Sequence, residues 1–247
     1  MNFKVSKSDN METRETILQK AETILREVYK DFRLQGIEAV YLWGSILRDD
    51  FHFETGDIDS IAIVDDMVSF ELEQEIRMYL IGKVPEIKKF GFRVLYKSEL
   101  SGGQIKSFLA TVQSPKSHIL DLPNWKHVAG KKFVPTDFRQ TLPTYHEALL
   151  DELPEMERRA RLHQEGVVAE DDYYIKKIAQ LLDLLQKDKG ARGAFSYSNL
   201  ISRAEGEMET QVAATLNEIK LNSYNPQIIK KYDNLLKGFV HYINTLG

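Results

Sequence analysis

The stretch YLWGSILRDDFHFETGDIDSIAIVDD, Tyr41 to Asp66, joins two apolar runs, VYLW and IAIV, through a Gly-Ser pair, a charged connector and two aspartates one residue apart. Aspartate is among the residues least suited to a strand, yet Asp57 and Asp59 stand at the mouth of one. Side chains at i and i+2 of a strand share a face, so the two carboxylates are presented side by side while Ile58 turns into the core. Their repulsion is relieved most naturally by a divalent cation, and an all-oxygen donor set selects Mg2+ or Mn2+ over zinc. Magnesium also keeps positions open for water and phosphate, which points to a phosphoryl or nucleotidyl substrate.

Gly44 and Ser45 end the first apolar run. A glycine there lets a phosphate approach the backbone, and if SILRD opens a short helix, its unpaired amides point at that anion, with the serine hydroxyl as one more donor. The connector Ile46 to Gly56 is long enough for a helical turn and a return to the adjacent strand, so both halves can face one site.

Working outward, the apolar spacing predicts an amphipathic helix over about Met11 to Gln35, stopped by Gly36. Strands follow at Ile37 to Trp43, Asp57 to Val64 and Phe90 to Tyr96, with helices at about Ser69 to Gly82 and Gly103 to Val112. Ser114 to Phe138 holds three prolines and little periodicity, and reads as an extended, irregular junction. Beyond it the pattern is helical at about Phe138 to Leu150, Asp171 to Gln186, Glu207 to Leu221 and Pro226 to Leu246, the last with Asn225 as its cap. The expected fold is α+β: a small mixed-sheet domain over residues 1–135 with flanking helices, followed by an all-α bundle over 136–247.

Composition narrows the function classes. The chain has 247 residues, 43% of them hydrophobic, enough for one large or two modest cores. With 33 basic residues against 37 acidic ones the net charge is -4, and there is no interleaved basic and aromatic tract, which argues against nucleic acid as a partner. The absence of cysteine excludes disulfides, thiolate zinc sites and a cysteine nucleophile. No apolar run has the length of a signal sequence or a membrane span, so the expectation is a cytoplasmic protein with no membrane partner.

Gly-Ser after an apolar strand, a connector of this length and GDIDS opening a second strand together resemble the signature of the nucleotidyltransferase (DNA polymerase β-like) superfamily. The following helical domain is similar to the small-molecule branch, the aminoglycoside adenylyltransferases and minimal nucleotidyltransferases. The resemblance implies ATP or another nucleoside triphosphate as substrate and a small-molecule hydroxyl as acceptor, an aminoglycoside-like antibiotic among the candidates. It also implies a two-metal mechanism in which Asp57 and Asp59 hold Mg2+ or Mn2+ while Gly44 and Ser45 cradle the triphosphate. The family pattern carries a third carboxylate on the strand after the intervening helix. In FRVLYKSEL that place falls on Arg93, leaving Glu99, just past the strand, or an acid elsewhere such as Asp121 for the role. Arg93 also motivates the alternative of a catalytically impaired protein that keeps the fold as a nucleotide-binding or partner-binding regulator.

Other residues carry weaker signals. Arg48 and Asp49 either line the nucleotide cleft or lie on a solvated helix face. Lys116, Lys126, Lys131 and Lys132 read as a phosphate rim or a solvated face, Tyr173 and Tyr174 as acceptor pocket or core, and Glu147 and Asp151 as cleft-side acids or surface charges, with the surface favoured. His52 reads as a loop residue, and no histidine shows metal spacing.

Overall fold

The structure is a computed structural model that describes residues 13–48, 51, 57–83, 90–164 and 171–246. Helix α1 (Arg14–Phe32) starts at Thr13, whose hydroxyl accepts from the Thr16 amide at 3.2 Å, and buries Ala21, Leu25 and Val28 at the expected spacing. A short 3-10 turn follows, and Gly36 in the left-handed region (φ 99°) hands the chain to β1 (Ile37–Trp43). Next come β2 (Ile58–Val64), α2 (Glu71–Lys83) and β3 (Phe90–Tyr96). In β1 and β2 residues on both faces are buried, so neither strand alternates in polarity and both read as continuous apolar runs.

Ser114 to Phe138 departs from its expected irregularity. It contains α5 (Pro115–Asp121), after the shorter α3 (Lys97–Leu100) and α4 (Phe108–Val112), and then a strand, β4 (Lys126–Gly130). Each element is too short to develop a detectable period, and α5 relies on local capping, with Pro115 in its first turn and the Ser114 hydroxyl accepting from the Lys116 amide at 3.2 Å. The four strands form one mixed sheet in the order β3-β2-β1-β4, with β1 antiparallel to both β2 and β4.

Residues up to Arg93, with Lys126–Lys132, form one compact unit; Val94–Trp125 and the residues from Phe133 onward form a second. Packing therefore assigns α3 to α5 to the helical unit, well before the boundary expected at residue 135. That unit also contains α6 (Tyr145–Gln164), α7 (Asp171–Asp188), α8 (Tyr197–Ser202), α9 (Gly206–Leu221) and α10 (Pro226–Asn244). Helix α6 begins later than expected and runs on through Pro154, an exposed residue that removes one backbone donor without touching the core. The core includes Leu149, Ile178, Leu182, Leu216, Phe239 and Ile243, each worth about 1.5–3 kcal/mol on burial. No described helix is long and apolar enough to cross a membrane.

A buried polar cluster joins α5, α6 and α7. Glu152 Oε1 accepts from the Ser114 amide at 2.7 Å and the Ser117 hydroxyl at 2.8 Å, while its Oε2 meets Lys177 Nζ at 3.2 Å. Burial pushes the Lys177 ammonium down and Glu152 opposes that shift. Fully buried His118, stacked edge-on against Trp125, is pushed down to about 3, by burial first and by the Lys177 charge second.

Because the unfolded chain protonates a histidine near pH ~6.5, folding excludes that proton: the stabilisation is complete above that pH and is lost as pH falls toward about 3. His118→Leu should flatten the dependence of the urea midpoint on pH between about 7 and 4, removing up to ~1.4 kcal/mol per pH unit. A variant profile as steep as the wild type would contradict this.

Candidate active site

The site is set by one register. Across the β1/β2 pair Trp43 faces Asp59 and Leu42 faces Ser60, so Asp59 stands at the end of β1, beside Gly44. Gly44 has φ 79° and ψ -155°, a conformation essentially reserved for glycine. A Cβ at Gly44 would lie 2.8 Å from Asp59 Oδ2, inside contact distance. From the other flank, β3 brings Gly91, where a Cβ would lie 2.7 Å from Asp59 Oδ1. Two glycines on two different strands thus keep clear the space that the Asp59 carboxylate occupies. One residue on, the Ser60 hydroxyl donates to the Gly91 carbonyl oxygen at 2.9 Å and ties β3 to β2 at this level.

Asp57 is half-buried immediately before β2, and fully buried Ile61 and nearly buried Ile58 anchor the strand on its two faces. After Gly44 the chain makes a single 3-10 turn, Ser45–Leu47, closed by the Arg48 amide donating to the Ser45 carbonyl oxygen at 2.9 Å. Ile46 is fully buried and pins this turn to the core, while Ser45 stays partly accessible. Arg48 is half-buried, and its carbonyl oxygen accepts from Arg14 Nη1 at 2.7 Å, which fastens the turn to the first turn of α1. Asp49 and His52 lie outside the described residues.

The remaining acids serve the chain itself. Glu99 is fully buried and accepts from the backbone amides of Tyr96 at 2.8 Å, Ser107 and Lys106, gathering the segment that leads into α4. Asp121 accepts from Trp125 Nε1 at 2.9 Å and Asn124 Nδ2 at 3.0 Å. Glu147 caps α6 by accepting from the Thr144 amide at 2.7 Å, and that bond holds its carboxyl below the usual range. Asp151 accepts from Ser114 Oγ and from Lys116, and Lys126 is paired with Glu22. Tyr174 is buried, whereas Tyr173 is half-buried, lies under the Arg159 guanidinium and donates to the Val112 carbonyl oxygen at 3.4 Å. Arg93, at the position expected for a third acid, pairs with Glu73 of α2, Nη1 to Oε1, at 2.9 Å.

Two contributors escaped the sequence reading. Gly91 had a usable signal: a glycine inside the aromatic strand FGFRVLY marks a close approach. Arg14 had none, because it acts on a backbone carbonyl 34 residues away.

The two aspartates supply only oxygen donors, Asp57 half-buried before β2 and Asp59 with its two carboxylate oxygens against the glycines of the flanking strands. That fits a hard divalent cation shared with phosphate oxygens, which takes one or two protein carboxylates rather than a closed protein cage. Among the described residues no group of three or more histidines, aspartates or glutamates could hold a metal by itself.

No family model matches the chain, and no curated protein sequence matches it. Among solved structures it is similar to the spectinomycin adenyltransferase AAD(9) from Enterococcus faecialis, determined with ATP and spectinomycin. The similarity has 15% identity and a TM-score of 0.50, and it covers 92% of this chain and 100% of that one. The chain therefore has the fold of a nucleotidyltransferase, a mixed sheet carrying Asp59 between two glycines, with a helical region beside it in sequence.

Proposed function

We propose that this protein transfers a nucleoside monophosphate, AMP from ATP, to a hydroxyl of a small molecule in the cytoplasm. The observation that carries the reading is the Asp59 carboxylate, cleared on both flanks by Gly44 and Gly91 and preceded by a second carboxylate at Asp57. The fold likeness to a protein crystallised with ATP supports it. So does the Gly44–Ser45 turn, which a phosphate can approach without meeting a side chain at residue 44. In this reading the strand-rich unit carries the chemistry and the helical unit the choice of acceptor.

The acceptor hydroxyl oxygen attacks the α-phosphorus and releases its proton to solvent; a new P–O bond forms, the bond from the α-phosphorus to the α,β-bridging oxygen breaks, and pyrophosphate leaves in line. Asp57 and Asp59 would hold Mg2+ or Mn2+, which when bound neutralises charge on the phosphate oxygens. Gly44 admits the triphosphate to the backbone, the Ser45 hydroxyl donates to it, and Arg48 lines the nucleotide side. The turn tied down through Arg14 orients the nucleotide before reaction. Spectinomycin, the compound bound by the similar structure, is the first acceptor to try, followed by other hydroxylated amines.

Arg93 favours a second reading, a nucleotide-binding regulator without transferase activity, because an arginine cannot serve as the base or ligand that a third acid would supply. One assay separates the two. Labelled ATP, Mg2+ and an acceptor panel should yield adenylylated product and pyrophosphate; nucleotide binding with neither product would leave the regulator.

Asp57→Asn and Asp59→Asn should each lower turnover by at least about a hundredfold, as expected for loss of a metal-binding carboxylate. Gly91→Ala, which inserts a methyl against Asp59 Oδ1, should weaken metal-dependent nucleotide binding by roughly tenfold or more, about 1.4 kcal/mol, measured by calorimetry. Equal affinity in Gly91→Ala and wild type would remove the glycine pair from the site.

A further inference from the structure

We infer that Ser60 is a positioning residue for the Asp59 carboxylate: its buried hydroxyl holds Gly91 of β3 against Asp59 and so fixes the side chain that would take the metal. The inference rests on the nucleotidyl-transfer reading and adds to it a residue on the face of β2 that Asp59 does not use.

Ser60 is the one hydroxyl in IDSIAIV, and it is fully buried. A small apolar residue would fill that position with no polar group to desolvate, and a neutral hydrogen bond adds little net stability, because water serves both partners in the unfolded chain. Stability is therefore a weak reason for a serine here. Its partner supplies a better one.

The Ser60 hydroxyl donates at 2.9 Å to the carbonyl oxygen of Gly91. Gly91 is the residue of β3 level with Asp59, since a Cβ there would lie 2.7 Å from Asp59 Oδ1 and 3.7 Å from the Ile58 carbonyl oxygen. Successive side chains of a strand leave on opposite faces, so Ser60 reaches Gly91 from one side of β2 while Asp59 meets it from the other. One residue of β3 is thus gripped by two consecutive residues of β2.

Asp59 gains from this grip. Its Oδ2 lies against Gly44 and its Oδ1 against Gly91, so the spacing of the two glycines limits the rotamers open to the carboxylate. The Gly44 side is set by the β1/β2 register, in which Trp43 faces Asp59. On the other side Gly91 is only the second residue of β3, and glycine has little intrinsic preference to stay extended. The Ser60 bond holds it where its own conformational preference does not. A carboxylate kept in one rotamer before the cation arrives binds it without losing that freedom on binding.

The test uses the full chain, Mn2+ and a non-hydrolysable ATP analogue, with affinity measured by calorimetry in the presence and absence of Mn2+ and stability by the urea midpoint. Ser60→Ala should weaken Mn2+-dependent binding about fivefold, the scale of one hydrogen bond, and leave metal-free binding unchanged. Ser60→Thr and Ser60→Val add similar bulk and differ in the hydroxyl, so the first should stay within about twofold of wild type while the second loses about fivefold or more. Ser60→Ala and Gly91→Ala act on one contact, so the double variant should lose less than the product of the separate losses. A serine that only stabilised the fold would lower the urea midpoint and leave the Mn2+-dependent affinity of the folded protein as in wild type, and that result overturns the inference. Equal losses in Ser60→Thr and Ser60→Val, or losses that multiply in the double variant, overturn it as well. If Asp59→Asn abolishes Mn2+-dependent binding while Ser60→Ala keeps it intact, the inference fails and the nucleotidyl-transfer reading survives. If wild type binds no analogue, both fall.

Discussion

The Asp59 carboxylate sits where a side chain on either flanking strand would collide with it, and the site depends on that exclusion. Gly44 at the end of β1 and Gly91 on β3 both yield the space. The arrangement requires Trp43 to face Asp59 across the β1/β2 ladder. A slip of one residue in that ladder would turn Asp59 to the opposite face and bring Ser60 forward. The buried residues of both strands oppose such a slip, since every side chain in the middle of β1 and β2 is out of water. Packing of the sheet and placement of the carboxylate are therefore one constraint.

The helical unit handles charge differently. Three of its buried acids are matched by the chain's own cations: Glu152 by Lys177, Asp183 by Lys187 at 2.7 Å and Arg203 at 3.0 Å, and Glu209 by Lys189. Taking an ion out of water costs several kcal/mol unless a partner and hydrogen bonds offset it, which these three acids find in cations and Glu99 in backbone amides. Burial pushes the Asp183 carboxyl up while Lys187 and Arg203 pull it down. These acids hold helices together. An acidic surface for a polycationic acceptor would have to come from carboxylates other than these.

At Arg93 the two styles of charge meet. The strand-rich unit places two carboxylates one residue apart with no intervening cation in sequence, then sets an arginine on the neighbouring strand and steadies it with Glu73 from α2. Glu99, the nearest acid in sequence past β3, is drawn instead into three backbone hydrogen bonds, the arrangement of a structural anchor.

The sequence by itself determined the elements with strong local signals. β1 and β3 fall at Ile37–Trp43 and Phe90–Tyr96 as expected, because apolar β-branched and aromatic runs bounded by glycine and charge are legible without partners. The approach of Gly44 to Asp59 was legible for the same reason, since spacing along one stretch carries it. Tertiary structure alone decided what depends on residues distant in the chain: β4, which becomes a strand only by pairing with β1; the helical unit's claim on α3 to α5; the reach of Arg14 to the Arg48 carbonyl; Gly91 against Asp59; and Glu73 on Arg93. The physical reason is common to all five. A hydrogen bond, a close approach or an ion pair across strands and helices leaves no period in the sequence, because the partners are brought together by the sheet and the packed helices, not by the chain between them.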